Sequence, residues 1–236
     1  TSVRMFLFVF KMFAEGNAAI PKEGISALPE FLVKEHSLNV MYNTDVTQIA
    51  EGYVLTANGD KIEADLIVDT RPLVNELPQD LTWNGCQNLY FEHPSPRRIK
   101  SARIGLNANP KSLVNNIFYP SSIFVPSSKQ GMELLSVTVV NSQRLGKSEL
   151  ARRVIAELKD QFQIKGLREV HAFFIPIGVP SLKSPKDDFV IVEKHGVIKA
   201  GDYAMNGSQN AACKAGELIA SFILDKEQVL FEEANK

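Results

Sequence analysis

The chain is poor in the residues that hold small or metal-built folds together. Its two cysteines, Cys86 and Cys213, lie far apart among 236 residues. No C-x-x-C and no Cys/His ligand spacing occurs, which excludes a disulfide framework and a zinc site by pattern. Isolated cysteines of this kind fit a reducing, cytoplasmic setting. Charge of one sign is missing too: 26 Lys and Arg stand against 27 Asp and Glu, a formal net charge of -1. With no basic block, nothing attracts nucleic acid by bulk electrostatics. No glycine-rich phosphate loop G-x-G-x-x-G occurs, because the 14 glycines are scattered. No apolar run is long. Met5-Phe6-Leu7-Phe8-Val9-Phe10 is broken by Lys11, whereas a bilayer-spanning helix needs ~20 apolar residues. The run reads instead as a buried helix or strand. Reading it as a signal-peptide core after Arg4 requires an initiator Met, and the chain opens on Thr1. That residue leads to the expectation of a start within a longer protein.

What is present is an ordinary globular composition, 44% hydrophobic and 22% charged. The length suits one large domain or two small ones. Pro21 and Gly24 mark a loop, followed by a helix carrying Ile25, Leu28, Phe31, Leu32 and His36 at helical spacing. Asn39 to Tyr42 reads as a short strand. Val46 to Ala50 and Tyr53 to Thr56 read as strands, and Asn58-Gly59-Asp60 is a hairpin signal leading into Lys61 to Ala64. Asp65-Leu66-Ile67-Val68 reads as a strand buried on both faces, ended by Thr70-Arg71-Pro72. Residues 73 to 100 read as irregular, with Trp83 a packing residue. Residues 101 to 140 read as antiparallel strands, including Ile123-Phe124-Val125. A helix capped by Ser148 carries the stripe Leu150, Val154, Ile155, Leu158 and Phe162. Val170 to Ile177 reads as a strand. His36, His93, His171 and His195 have no mutual ligand spacing, so surface or packing roles are expected and no metal site.

The last fifty residues carry the strongest chemical signal. The strand Val197 to Asp202 feeds a glycine-containing loop and a helix that runs from Ser208 to Leu224. Ala211, Ala212, Ala215 and Gly216 let that helix lie close to a flat partner. A helix N-terminus presents unpaired N–H groups and a positive dipole end. An acid at a strand end accepts hydrogen bonds from hydroxyls. The turn therefore suits a polyanionic or polyhydroxylated ligand. It also reads as a purely structural connection, with Ser208 as N-cap and Gly201 easing the turn.

Ala200-Gly201-Asp202-Tyr203, Gly207-Ser208, Ala211-Ala212 and Ala215-Gly216 with Ala220 resemble the terminal FAD motif of the flavin-containing amine oxidase and phytoene desaturase superfamily. Alanine stands at 211 where glycine is usual, and at 215 where serine is common. Pro21-Lys22-Glu23-Gly24-Ile25 resembles the family's P-x-G-G-M loop, with Glu23 at the first glycine. Asn43 to Ile49 resembles N-T-x-V-x-x-I, and Asp65 to Val68 with Pro72 resembles D-x-V-V-x-A-x-P.

The resemblance implies an α/β (mixed α+β) fold: a partial FAD-binding domain, residues 17–72 and 189–236, with an inserted antiparallel-sheet substrate domain, residues 1–16 and 73–188. It implies FAD in the parent protein, with Val46 backbone at the adenine, Asp202 at the ribityl chain, and Gly201, Gly207, Ser208, Gln209, Asn210 and Ala211 around the pyrophosphate and flavin. The family's pyrophosphate loop then either precedes Thr1 or is lacking. The implied reaction is hydride transfer from a C–N or C–C bond of a small-molecule substrate to flavin, with no catalytic residue named. Phe173, Phe174 and Ile175-Pro176 fall where the family lines its flavin or substrate cavity, although a core strand is the plainer reading. A non-catalytic binding or regulatory module that keeps the fold without FAD is the alternative. Oligomerisation is left open.

Overall fold

The computed structural model describes residues 2–16, 19–72, 82–94, 96–123, 131–140, 145–181 and 191–234. The chain divides into two compact units: Thr1–Leu81 with Pro180–Lys236, and Thr82–Val179.

The first unit opens with α1 (Val3–Ala14), whose N-cap Ser2 accepts a hydrogen bond from the Met5 N–H. The apolar run is therefore helical but not buried: Phe6, Leu7 and Phe10 are all more than half exposed. Its helicity is local, set by cap and propensity, while burial needs a partner surface that the described residues do not supply. Helix α2 (Ala27–Glu35) forms where the periodicity places it, again with no buried residue. The expected strand at Asn39–Tyr42 is absent, and Tyr42 and Asn43 form a turn, with Asn43 at φ +54°.

Strands β1 (Val46–Ala50), β2 (Tyr53–Thr56) and β3 (Lys61–Glu63) make an antiparallel meander. The Asn58-Gly59 turn closes its second hairpin through Gly59 N–H to the Thr56 carbonyl. The next strand, β4 (Ile67–Asp69), pairs in parallel with β11 (Val197–Lys199), which also pairs antiparallel with β10 (Val192–Lys194). Strand β4 is an edge, so Val68 is 38% exposed and the expected burial on both faces does not hold. Helix α4 (Gln209–Ala234) lays Ile219 on Ile198 of β11 and on Ala200 just beyond it.

The second unit is a five-stranded sheet with one helix. Its strands are β5 (Thr82–Pro94), β6 (Gly105–Leu106), β7 (Val114–Phe118), β8 (Met132–Val139) and β9 (Arg168–Ser181), the last running past Val179. The order is β6-β7-β8-β5-β9. Part of the segment read as irregular is thus a 13-residue strand, and Trp83 sits on it. Of the expected strand at 123–125, residues 124 and 125 lie outside the described residues. Helix α3 (Lys147–Gln161) is capped by Gly146 rather than Ser148. Alternate residues Leu135, Val137 and Val139 of β8, with Leu89 and Phe91 of β5, pack with Leu150, Val154 and Leu158 of α3. The period of 2 on the strands thus meets the helical period of 3.6. Strand β9 is an edge whose Phe173 and Phe174 are more than half exposed, so the core-strand reading is corrected.

Glu157 of α3 binds the unit together across its surface. Its carboxylate accepts from the Ser112 hydroxyl and from the backbone N–H of Leu113 (3.0 Å) and Val114 (3.1 Å). Burial opposes its ionisation, but these donors win and hold the carboxyl below its ordinary 4.5. A lowered carboxylate stabilises the fold above 4.5, and that contribution is lost as pH falls through the lower folded value. Glu157→Gln is expected to cost about 1–3 kcal/mol at pH 7, with the gap to the wild type closing below pH 4.5. Urea denaturation across pH 3 to 7 checks this. Leu158→Ala, which opens the core, is expected to cost about 2–5 kcal/mol with no such pH dependence.

Candidate functional site

The site grows out of the β4–β11 pair. The ladder ends at Lys199, and the chain continues extended: the Ala200 N–H donates to the Asp69 carbonyl at 3.3 Å, and Gly201 has φ -175°. Gly201 is fully tucked in. A Cβ there would meet the Tyr203 ring at 2.7 Å and the Thr70 carbonyl oxygen at 3.2 Å. Asp202–Ala204 forms one short 3-10 turn, and the Gly207 N–H folds back to the Asp202 carbonyl at 3.1 Å. Gly207 has φ +62° and lies against the Pro180 ring, so both its backbone and the space around it call for glycine.

Ser208 then caps α4. Its Oγ accepts from the Ala211 N–H at 3.1 Å, and its carbonyl accepts from the Ala212 N–H at 2.9 Å. The N–H groups of Gln209 and Asn210, in the exposed first turn, have no intrahelical acceptor. They sit at the positive end of a 26-residue helix. Ala211 is 2% exposed, on the face turned inward. Tyr203 is buried below the turn, its hydroxyl pushed up to about 12 by burial and then by the charges of Asp69 and Asp202.

Seven of the eight residues singled out from sequence, Gly201, Asp202, Gly207, Ser208, Gln209, Asn210 and Ala211, thus lie on one strand–turn–helix. The eighth, Val46, begins β1. Its connection to the others runs through a residue that the sequence marks only as a strand terminator. Arg71 donates Nη1–H to the Val46 carbonyl at 3.0 Å and pairs with Asp69 at 2.8 Å. Burial raises the Asp69 carboxyl, but the Arg71 hydrogen bonds and charge outweigh it and hold it below its ordinary 3.8. Asp69 and Arg71 line a cavity of about 730 Å³ with Glu51, His195 and Lys199. The only sequence hint was an acid and a base two positions apart at a strand end.

The donor set matches a flavin nucleotide in part. The extended Gly201–Asp202 end and the open N–H groups of α4 fit an anionic, hydroxyl-bearing group. The Val46 carbonyl accepts from Arg71 and keeps a second lone pair.

Two substitutions separate these features. Ser208→Ala is expected to destabilise α4 by about 1 kcal/mol. Gly207→Ala is expected to cost more, because it adds positive-φ strain to a clash with Pro180. Urea denaturation followed at α4 resonances gives the order, and the reverse order contradicts the geometry.

None of the curated proteins matches the chain. Among solved structures, a putative protoporphyrinogen oxidase from Exiguobacterium is similar at TM-score 0.61 and 16% identity, covering 86% of this chain and 52% of that one. A fatty acid isomerase from P. acnes has TM-score 0.61 and 14% identity, with coverage of 84% and 52%. A putrescine oxidase variant redesigned in cofactor binding has TM-score 0.57 and 12% identity, with coverage of 86% and 53%. The chain spans about half the length of these structures, and identities this low speak for the fold alone. The model of the flavin containing amine oxidoreductases matches residues 1–173. The chain belongs to the flavin-containing amine oxidoreductase family, in which FAD is the cofactor.

Proposed function

We propose that this chain is the C-terminal portion of an FAD-dependent oxidoreductase acting on a small-molecule substrate. Residues 17–72 and 189–236 would serve as the residual FAD-binding part, and residues 1–16 and 73–188 as the substrate part. The reading rests chiefly on one observation: the central strand β11 delivers an extended Gly201–Asp202 directly to the N-terminus of α4. Ligands of sheets with parallel strands bind beyond the carboxyl ends of those strands, where helix N-termini converge. In the proposed complex Asp202 accepts from ribityl hydroxyls, and the Gln209 and Asn210 N–H groups, oriented by the Ser208 cap, face the pyrophosphate or flavin. FAD, when bound, supplies the hydride acceptor for a substrate C–N or C–C bond. We place the protein in a reducing, cytoplasmic setting, which the unpaired Cys86 and Cys213 support. Glu23 and Ala211, which stand where the family's motifs usually have glycine, favour a second reading, a binding or regulatory module that keeps this fold without FAD.

FAD titration into the 236-residue chain tests the proposal. Each neutral hydrogen bond nets about 0.5–1.5 kcal/mol, and association costs several kcal/mol or more. The few contacts available at Asp202 and α4 therefore predict binding weaker than about micromolar. Asp202→Ala is expected to remove what binding there is. Residual binding unchanged in Asp202→Ala takes Asp202 out of the site, and complete absence of flavin binding at millimolar FAD favours the second reading.

A further inference from the structure

We propose that the second unit carries an oxyanion-binding groove of its own, at the end of β5 and the C-terminal end of α3, suited to a phosphate-bearing small molecule. It is a concavity of about 720 Å³, a size that holds a small ligand. Arg97, Arg98, Lys100 and Lys165 line it, and no Asp or Glu among the described residues does. Across the whole chain the two signs balance, 26 against 27, so four cations around one groove depart from the average surface. The carboxylate beside them is Glu133, paired with Arg97 at 3.3 Å.

Part of this charge serves the fold. Arg98 donates Nε–H and Nη2–H to the Gln163 carbonyl at 3.2 and 2.7 Å, closing the loop that follows α3. That uses one edge of the guanidinium and leaves the outer edge able to clasp an oxyanion in two-pronged fashion. Lys100 and Lys165 serve no such purpose, since neither makes a hydrogen bond or ion pair among the described residues. Like charges gathered this way repel one another, and an anion in the groove relieves that repulsion.

Both walls are built rather than loose. On one side the buried His93 imidazole faces the Tyr119 hydroxyl at 3.2 Å and the Pro94 carbonyl at 2.8 Å, and the Arg98 N–H reaches the same hydroxyl at 3.3 Å. On the other side Ile164 is 2% exposed and anchors the loop in the core. That loop is held by Gln163 at φ +56° and Gly166 at φ +69°. A Cβ on Gly166 would meet the Pro94 ring at 2.9 Å, so the loop rests directly on the floor of the groove. The cations are thus presented from fixed backbone, which lowers the ordering cost of binding.

The groove lies wholly within Thr82–Val179 and stands or falls separately from the flavin reading. Inorganic pyrophosphate, titrated into the full chain at low salt by calorimetry, tests it. Binding is expected, weakening as salt rises, with at least a tenfold loss in the exposed double variant Lys100→Glu/Lys165→Glu. The charge-matched control Lys22→Glu/Lys111→Glu, at exposed positions elsewhere, is expected to bind as the wild type does. Absence of binding at millimolar pyrophosphate overturns the proposal, as does an equal loss in both double variants, which reduces the effect to net charge. Citrate provides the carboxylate arm, and citrate binding as tightly as pyrophosphate overturns the assignment to phosphate. Chemical-shift changes at the Arg97 and Arg98 guanidinium groups are expected to accompany binding, and their absence contradicts it.

Discussion

The first unit depends on a parallel ladder of three residues on each side. Ile67–Asp69 and Val197–Lys199 meet although the whole of Thr82–Val179 lies between them in sequence. Everything at the candidate site is referred to this pair. One face of β11 and its extension gives Ile198 and Ala200 to the underside of α4, which fixes the axis of the helix. The other face presents Val197 and Lys199, beside Asp69 of β4, to the cavity. Because the ladder stops at Lys199, the extended Gly201–Asp202 backbone leaves the sheet where the helix begins. The ladder itself is short, and closing so long an excursion is entropically costly. Its stability therefore has to come from the apolar contact with α4 and from the Asp69–Arg71–Val46 link.

That link also ties β1 to the site. Arg71 satisfies a partly buried carboxylate and a strand-end carbonyl with one planar group. The carbonyl oxygen keeps a second lone pair, so the bond leaves an acceptor there. At the strand–turn–helix the open N–H groups are those every helix leaves unpaired at its start.

How much of this was legible in the sequence follows from the range of the interactions. The Asn58-Gly59 turn, the Ser208 cap and the α4 helix are set within a few residues and can be read directly. So can the Gly201 to Ala211 stretch, which is continuous in the chain. Strand β5 could not be read, because polar residues such as Asn84, Gln87, Asn88 and Glu92 interrupt its apolar positions. Its conformation is imposed by pairing with β8, where the Asn88 side-chain oxygen accepts from both the Ser136 and Thr138 hydroxyls. The helicity of α2 was legible, that of α1 was left open between helix and strand, and the exposure of both was not legible, since burial is a property of the partner surface. The Arg71–Val46 bond joins residues 25 positions apart, one at the start of β1 and one just past the end of β4 in a different sheet, and no local pattern encodes it.

The central claim is that the β4–β11 pair is the frame on which the Gly201–Ala211 turn is held. Amide hydrogen exchange of the chain, resolved by NMR, tests it at two reporters. The Ile67 N–H donates to the Gly196 carbonyl and the Ala200 N–H to the Asp69 carbonyl, both at 3.3 Å across the ladder. The account predicts that these two amides exchange slowly and together, in the same class as the amides of Ala215 and Ile219 in α4. Exchange of Ile67 and Ala200 as fast as the exposed Tyr42–Asn43 turn, with α4 still protected, would contradict it.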